Sequence, residues 1–382
     1  MKIIYSVGSI FGGVGIGNTA YKAVSGIYKK DVLDKVICLD YKKTEIPKKK
    51  IKSFWPLKYL VWYPLKGVQK YFFRSFNPYA ILDPFYDQLS KIYIKRIDIF
   101  HYWRNHGLSA ANKAKRLGAI VVVENASSHP LTQKEILEEE YRKYCIKEKI
   151  FSKNQIKKAL DELNFADYVL VPSDFAEKSF IEKGFPKEKV IKISFGVDLT
   201  KFSPKKEKKD NIFRAIFVGS IQLRKGIQYL LQAWEELNLK NAELIIVGRV
   251  WPDAEKVVES YKNNKTIKLI GFADPREYYK ISDVFVFPSL EEGSALVNYE
   301  AMASGLPLIT TFNSGSIARD GKEGFIVPIR NVKALKEKIL YFYKNPKAAK
   351  KMGWAARKRV ENFTWEKYGE NLVKTYKKIL RK

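Results

Sequence analysis

Short apolar runs separated by stretches of helical periodicity recur along nearly the whole chain, and this alternation restricts the fold more than any other feature. Residues 3–7, 36–39, 97–100, 120–123, 168–171 and 190–193 are such runs, and they have the pattern of parallel strands buried on both faces. After the break at Phe202-Ser203-Pro204 and the charged run 205–210, the alternation restarts at residues 214–218, 243–247, 268–270, 284–287 and 308–310. Strands that alternate with helices build parallel sheets covered on both faces, so the pattern predicts an α/β chain of two Rossmann-like, doubly wound domains. With 382 residues, 46% of them hydrophobic, the chain exceeds one ordinary core and can fill two. The predicted divisions are 1–197, 198–362 and a last segment, 363–382, whose helical face of Tyr368, Leu372 and Tyr376 needs a partner. Residues 205–209 read as a solvated linker.

Seventy Lys and Arg against forty-one Asp and Glu give a formal net charge of +29, enough to attract nucleic acid, anionic headgroups or phosphorylated substrates. A basic nucleic-acid-binding protein is therefore the leading non-enzymatic alternative, but no recognised binding module appears, and nucleic acid is not the expected partner. Cys38 and Cys145 are too few for a disulfide framework and lack metal-ligand spacing. No apolar run of signal length precedes the first strand, and no window of about twenty apolar residues occurs, which predicts a cytoplasmic protein.

The stretch PSLEEGSALVNYEAMASGLP, from Pro288 to Pro307, follows an apolar strand, turns through Gly293-Ser294 and continues as a short helix closed by Gly305. A strand-loop-helix of this kind presents free backbone N–H groups and a positive dipole end, which suits a diphosphate. Glu300, about one turn into the helix, can accept two hydrogen bonds from a ribose diol, and Glu292 in the loop can reach a sugar hydroxyl. An ordinary capped helix with surface glutamates has the same spacing. Upstream, Arg224 and Lys225 follow another strand end, where two adjacent cations can neutralise a leaving nucleoside diphosphate in place of a metal. No carboxylate cluster with metal-binding spacing accompanies them, so neither a metal nor another cofactor is expected.

At the other end of the chain, the glycines of the 8–17 loop, Gly12 and Gly13 among them, let backbone approach a phosphate or sugar closely. Asp40 mimics the ribose-binding acid of a dinucleotide site, but Asn18 stands where the last glycine of G-x-G-x-x-G should be, which weakens the nicotinamide-enzyme reading. All three histidines, His101, His106 and His129, fall just past two consecutive predicted strands, whose C-terminal ends should line one crevice. His101 and His129 are candidate catalytic residues there, with Arg104 and Glu124 beside them.

With these residues the sequence resembles family 4 of the retaining glycosyltransferases, which have the GT-B fold. The resemblance runs through the glycine loop at 12–15, Ala166-Asp167-Tyr168-Val169-Leu170-Val171-Pro172-Ser173, Phe195-Gly196-Val197-Asp198, Arg224-Lys225-Gly226, and Glu292 and Glu300 in an E-x7-E arrangement. It implies two domains facing a central cleft, with acceptor-side residues His101, Arg104 and Glu124 on the first. On the second it implies that Arg224 and Lys225 bind the donor diphosphate, Glu300 the ribose and Glu292 the donor sugar, with backbone amides from Gly293, Ser294, Ala295 and Leu296. The last helix should cross back to the first domain. The implied activity is metal-independent transfer of a sugar, with retention, from a nucleotide-diphosphate sugar to a glycan or lipid-linked acceptor in cell-envelope polysaccharide or glycolipid synthesis. UDP is expected ahead of GDP, a choice no single residue dictates. A nucleotide-sugar epimerase of similar fold is the nearer enzymatic alternative. Gly293-Ser294-Ala295 replaces the family's frequent Gly-Phe-Gly, and Glu124-Asn125-Ala126 stands where many members carry His-Gly.

Residues 46–82 contain no Asp or Glu, eight Lys or Arg, and aromatics at Phe54, Trp55, Tyr59, Trp62, Tyr63, Tyr71, Phe72 and Phe73. Three readings fit this span: aromatic core with lysines on the solvent side, a surface that docks on an anionic cytoplasmic membrane face, or a platform for stacking sugars. Pro56 and Pro64 are expected to prevent one continuous helix.

Overall fold

The computed structural model describes residues 1–42, 44–65, 67, 79–146, 151–204 and 210–381. The charged run 205–209 and the aromatics Tyr71, Phe72 and Phe73 lie outside the described residues. The remaining chain forms two parallel sheets, each covered by helices. Among the described residues the first sheet has seven strands: β1 (Ile3–Phe11), β2 (Leu33–Tyr41), β3 (Ile51–Ser53), β4 (Ile99–Trp103), β5 (Ile120–Glu124), β6 (Tyr168–Val171) and β7 (Val190–Lys192). The second has six: β8 (Phe213–Val218), β9 (Ala242–Val247), β10 (Ile267–Gly271), β11 (Val284–Phe287), β12 (Leu308–Thr311) and β13 (Gly324–Val327).

The strand orders are β3-β2-β1-β4-β5-β6-β7 and β10-β9-β8-β11-β12-β13. In each sheet the winding reverses beside the first strand, between β1 and β4 and between β8 and β11. Chains leaving the C-terminal ends of those strand pairs diverge and open a crevice. Residues 8–17 and 104–106 border the first crevice, and residues 219–226 and 288–295 border the second. Two strands were not anticipated. β3 is a three-residue edge strand inside the basic aromatic span with a single apolar residue, Ile51, and β13 is an edge strand of the second sheet opened by Gly324.

The last helix, Trp365–Ile379, buries Tyr368, Leu372 and Tyr376 together with Trp365, Val373 and Ile379. It returns to the first domain and lies against the helix Ile16–Lys29, where Gly26 and Gly369 meet backbone to backbone. A Cβ built on Gly26 would stand 2.5 Å from the Cα of Gly369, and one on Gly369 would stand 2.6 Å from the Cα of Gly26. Glycine weakens a helix interior, so its presence at both contact points fits a requirement for close approach.

The prolines of the 46–82 span do not end the helix there. The backbone stays helical over 55–65, with Pro56 in its first turn and Pro64 after the π-helical turn Lys58–Trp62, whose wider spacing relieves the clash a proline ring makes in an α-helix. Most of its described aromatics do not enter a core. Trp55, Tyr59, Leu60 and Tyr63 are 57, 55, 75 and 47% exposed, whereas Phe54 packs on Tyr86 with ring centroids 5.7 Å apart. Among the described residues, no helix is long and apolar enough to cross a membrane.

Replacing Gly369 with alanine forces the two helices apart. We expect a net loss of about 1 to 3 kcal/mol of stability in urea denaturation, even though alanine favours a helix by about 1 kcal/mol.

Candidate active site

Past β8 the chain makes a tight 3-10 turn, Leu223–Lys225, closed by Gly226 in the left-handed region at φ 71°. A Cβ on Gly226 would lie 2.0 Å from the carbonyl oxygen of Pro288, so only glycine lets this turn sit against the loop that follows β11. The contact is reinforced by the Leu290 N–H, which donates to the Arg224 carbonyl at 2.9 Å, and by the Ser289 hydroxyl, which donates to the same oxygen at 3.2 Å. Arg224 and Lys225 are thereby held against the two glutamates of that loop.

Glu292 receives both cations. Arg224 Nη2 lies 2.9 Å from Glu292 Oε1, and the Lys225 ammonium contacts the same oxygen. Burial and the adjacent Arg224 push the Lys225 ammonium well below its ordinary range, against the pull of the Glu291 carboxylate. Arg224 Nε also donates to the Glu291 carbonyl at 2.9 Å and stands 3.4 Å from its carboxylate.

Glu291, which the sequence did not single out, is fully buried and belongs to both domains. Its carboxylate accepts from the Ser128 N–H at 3.0 Å, the Ser128 hydroxyl at 2.8 Å and the Gln133 amide at 2.9 Å, all from the first domain. Burial alone would raise its pKa; Arg224 and these donors outweigh it and hold the carboxyl below the usual range. Gly293 completes the domain contact, because a Cβ there would stand 1.7 Å from the carbonyl oxygen of Ala126. On the other side, Glu292 N–H donates to Asn313 O at 2.9 Å, Ala295 N–H to Ser314 O at 3.0 Å, and Ser294 Oγ to Gly315 O at 2.9 Å. The loop is thus held rigidly on three sides.

The helix Leu296–Ala303 starts at the end of this loop, where Ala295 provides no side-chain cap and the Asn298 N–H turns back to the Ala295 carbonyl at 3.0 Å. One turn on, Glu300 is half-buried beside Tyr279, whose hydroxyl donates to Oε2 at 3.4 Å. Burial pushes the Glu300 carboxyl up to about 7.

The candidate residues of the first domain do not join this cluster. His101 and Glu124 are 0 and 2% exposed, and every polar atom they have is engaged. His101 Nε2 and the Tyr5 hydroxyl bind Glu124 Oε2 at 2.9 and 2.8 Å, Tyr368 Oη binds Glu124 Oε1 at 2.6 Å, and Tyr376 Oη binds His101 Nδ1 at 2.6 Å. Both residues are therefore assigned to the junction with the last helix instead of the crevice. His129 caps the helix Pro130–Lys143, its Nδ1 accepting from Leu131 N–H at 3.3 Å, and it packs edge-on against Phe180. Gly12 and Gly13 bond within their own loop, to Gly17 O at 3.0 Å and Ile10 O at 2.8 Å. Arg104 alone among the acceptor-side candidates keeps a guanidinium nitrogen, Nη1, with no partner among the described residues.

Truncating Glu291 to alanine leaves Ser128, Gln133 and Arg224 without their shared acceptor. Urea denaturation should report a loss of about 3 to 5 kcal/mol, as for breaking a buried ion pair, and a smaller loss for Glu291→Gln, which keeps one carbonyl oxygen.

With this geometry in hand, residues 198–359 match the family described as glycosyl transferases group 1. Spore coat protein SA of Bacillus subtilis is 31% identical over 181 residues, 43% of this chain and 48% of that protein. The capsular polysaccharide biosynthesis glycosyltransferase CapM of Staphylococcus aureus is 29% identical over 235 residues (56 and 62%). Alpha-monoglucosyldiacylglycerol synthase of Acholeplasma laidlawii is 26% identical over 255 residues (64 and 61%). The chain thus spans about half to three-fifths of the length of these relatives. Among solved structures, sucrose-phosphate synthase from Thermosynechococcus elongatus superposes with a TM-score of 0.71 at 17% identity, covering 100% of both chains. HepE of Anabaena, in complex with UDP-glucose, gives 0.67 at 17% identity, covering 99% of this chain and 100% of that one. At such identities the likeness is one of fold. The chain therefore has the two-domain GT-B fold, and the domain that carries the basic pair and both candidate glutamates matches the glycosyl transferases group 1 family.

Proposed function

We propose that the chain is a retaining, metal-independent glycosyltransferase that moves a sugar from a nucleotide-diphosphate donor, UDP ahead of GDP, to a glycan or lipid-linked acceptor of the cell envelope. The observation that carries this reading is the convergence of Arg224, Lys225, Glu292 and an uncapped helix start at the second crevice. The printed names of relatives in capsular polysaccharide and glycolipid synthesis, and the UDP-glucose complex of a protein of the same fold, agree with it.

In this reading the donor diphosphate takes the place that Glu292 now fills. Its oxygens meet Arg224, Lys225 and the N–H groups at the start of Leu296–Ala303, where charge develops as the sugar–phosphate bond breaks. Glu292, released from both cations, is free to accept a hydroxyl of the donor sugar. Glu300 accepts the ribose diol. The protein's contribution is to position the acceptor on the face the diphosphate leaves, while a departing phosphate oxygen takes the acceptor proton. Removing both cations, by Arg224→Ala with Lys225→Ala, should cost at least about 3 kcal/mol of transition-state stabilisation, roughly a hundredfold in kcat/KM. Nucleotide release coupled to product formation measures it, with product stereochemistry read by NMR and EDTA present in a parallel reaction. Near-normal turnover of the double variant, inversion, or loss of activity in EDTA would each count against the mechanism.

Glu300 adds a pH signature. A carboxyl raised to about 7 is half neutral at that pH, and a ribose diol binds best to the ionised form, which accepts from both hydroxyls. Donor affinity should therefore rise as pH increases through 7, by about tenfold between pH 6 and 8. A nucleotide-diphosphate sugar is the suitable ligand because its phosphates stay ionised throughout. Calorimetric titration of wild type and Glu300→Gln tests this, and the variant should lose the dependence.

Trp55, Tyr59, Leu60 and Tyr63 are exposed, as are Ile81 and Phe85 on the helix Tyr79–Ser90 that touches their turn, and Lys48 and Lys49 precede them in the chain. We assign this apolar and basic face to an anionic membrane surface, consistent with a lipid-linked acceptor. Flotation with vesicles containing anionic lipid should carry the wild-type chain at low salt and fail for Trp55→Ser with Leu60→Ser. Salt-independent binding, or none, contradicts the assignment.

A further inference from the structure

The first crevice holds polar groups that neither the domain junction nor the donor side uses. Helix Tyr79–Ser90 is fixed on the first sheet along one face. Tyr86 Oη donates to Ile37 O at 2.9 Å, and Asp87 accepts from the N–H groups of Ser109 and Ala110 at 2.7 and 3.0 Å. Asp83 lies on the same face one turn earlier. There it meets His106, whose Nε2 is 3.6 Å from Asp83 Oδ1. The imidazole is pressed onto β1, where a Cβ on Gly8 would stand 2.6 Å from the ring.

From the other side comes Glu162, on the helix Lys153–Phe165, which a Ser152–Gln155 capping box fixes in register. Its Oε2 accepts the N–H of Asn105, a residue in the left-handed region at φ 78°, where asparagine is among the few side chains tolerated. Arg104 leaves the end of β4 between these groups and is close enough to act electrostatically on Glu162, His106 and, across the domain contact, Glu291.

Four polar atoms in this cluster are buried without a hydrogen-bond partner among the described residues: Asp83 Oδ1, Arg104 Nη1, His106 Nδ1 and Glu162 Oε1. A buried polar atom left unpaired is costly, and four at one crevice indicate an absent ligand. We propose that Asp83, Arg104, His106 and Glu162 form a carbohydrate site that takes neighbouring hydroxyls of the acceptor sugar.

The donor and acceptor inventory selects that chemistry. Two carboxylates disfavour a phosphate, and the guanidinium disfavours a metal cation. Adjacent sugar hydroxyls each donate and accept, so they can serve the carboxylate oxygens and Arg104 together. Burial pushes Asp83 and Glu162 up to about 7 and His106 down to about 4, and Lys158, which donates to the Asn105 carbonyl at 3.3 Å, joins Arg104 in facing them, so the two cations stand against two partly neutral carboxyls and an uncharged imidazole, a mixed set that suits a polyol. Because Arg104 also faces Glu291, a sugar held here lies on the cleft side of the first domain, next to the loop that carries Glu292.

The inference that this sugar is the acceptor rests on the glycosyltransferase reading, but binding can be tested without turnover. Saturation-transfer NMR on the full chain with methyl glycosides of glucose, galactose, mannose and N-acetylglucosamine reads carbohydrate binding, and phosphorus line broadening of inorganic phosphate reads an anion site. At least one glycoside should bind, about tenfold more weakly in Arg104→Lys and in Asp83→Asn, as expected for losing a hydrogen bond with a charged partner. UDP affinity should be unchanged in both variants. Thermal unfolding checks each variant, and Glu162→Gln replaces Asp83→Asn if that protein does not fold. The proposal is overturned if no glycoside binds, if binding ignores the substitutions, or if phosphate engages the site through Arg104. Failure of UDP to bind the wild-type chain would sink the glycosyltransferase reading alone and leave the carbohydrate result standing.

Discussion

A single buried carboxylate ties the two domains to the chemistry proposed between them. Glu291 is fully buried, and its oxygens are shared among Ser128 and Gln133 of the first domain and Arg224 of the second. An unpaired carboxylate in that position would cost several kcal/mol, so the pairing holds only while the domains are in contact. The same residue aligns Arg224, and Arg224 in turn shares Glu292 with Lys225. Domain contact and cation geometry are therefore one constraint. Gly293 makes it tighter, since any side chain there would collide with Ala126.

A second contact joins the last helix to the first sheet. The last helix packs glycine to glycine on Ile16–Lys29 and extends two tyrosine hydroxyls into the first sheet, where His101 and Glu124 receive them. This chain of buried bonds, continued through Tyr5 to Trp103 Nε1 at 2.8 Å, leaves the C-terminal segment little freedom to detach. Asp83, Arg104, His106 and Glu162 lie at the first crevice and the cation–glutamate cluster at the second, with Arg104 close enough to Glu291 to act on it electrostatically.

Much of this was legible in the residues themselves. Buried parallel strands are continuous apolar runs, and eleven of the thirteen strands among the described residues stood out that way. Ile51-Lys52-Ser53, with one apolar residue, and Gly324-Phe325-Ile326-Val327, opened by a glycine, did not; both are edge strands that pair with a single neighbour. Arg224, Lys225, Glu292 and Glu300 were visible because strand-loop-helix turns force functional groups into fixed spacings. Glu291 was not, since nothing local separates it from Glu292. Its burial depends on Ser128, 163 residues away. Glu124 stands at a strand end, whereas His101, expected just past its strand, lies inside β4; the apolar face of the last helix was recognised as needing a partner, but its meeting with these two residues is a tertiary fact that no segment states alone. Pro64 shows local propensity overridden by a π-helical turn.

The most direct test of the central claim is a thermal-shift panel of UDP, GDP, ADP and their common sugar conjugates, run with and without EDTA on the wild-type chain and on Arg224→Ala with Lys225→Ala. A ligand that binds the native state raises its melting temperature. The account predicts that one nucleotide diphosphate and its sugar conjugate stabilise the wild type equally in EDTA and stabilise the double variant far less. Absence of any response, or a response that survives loss of both cations, would contradict it.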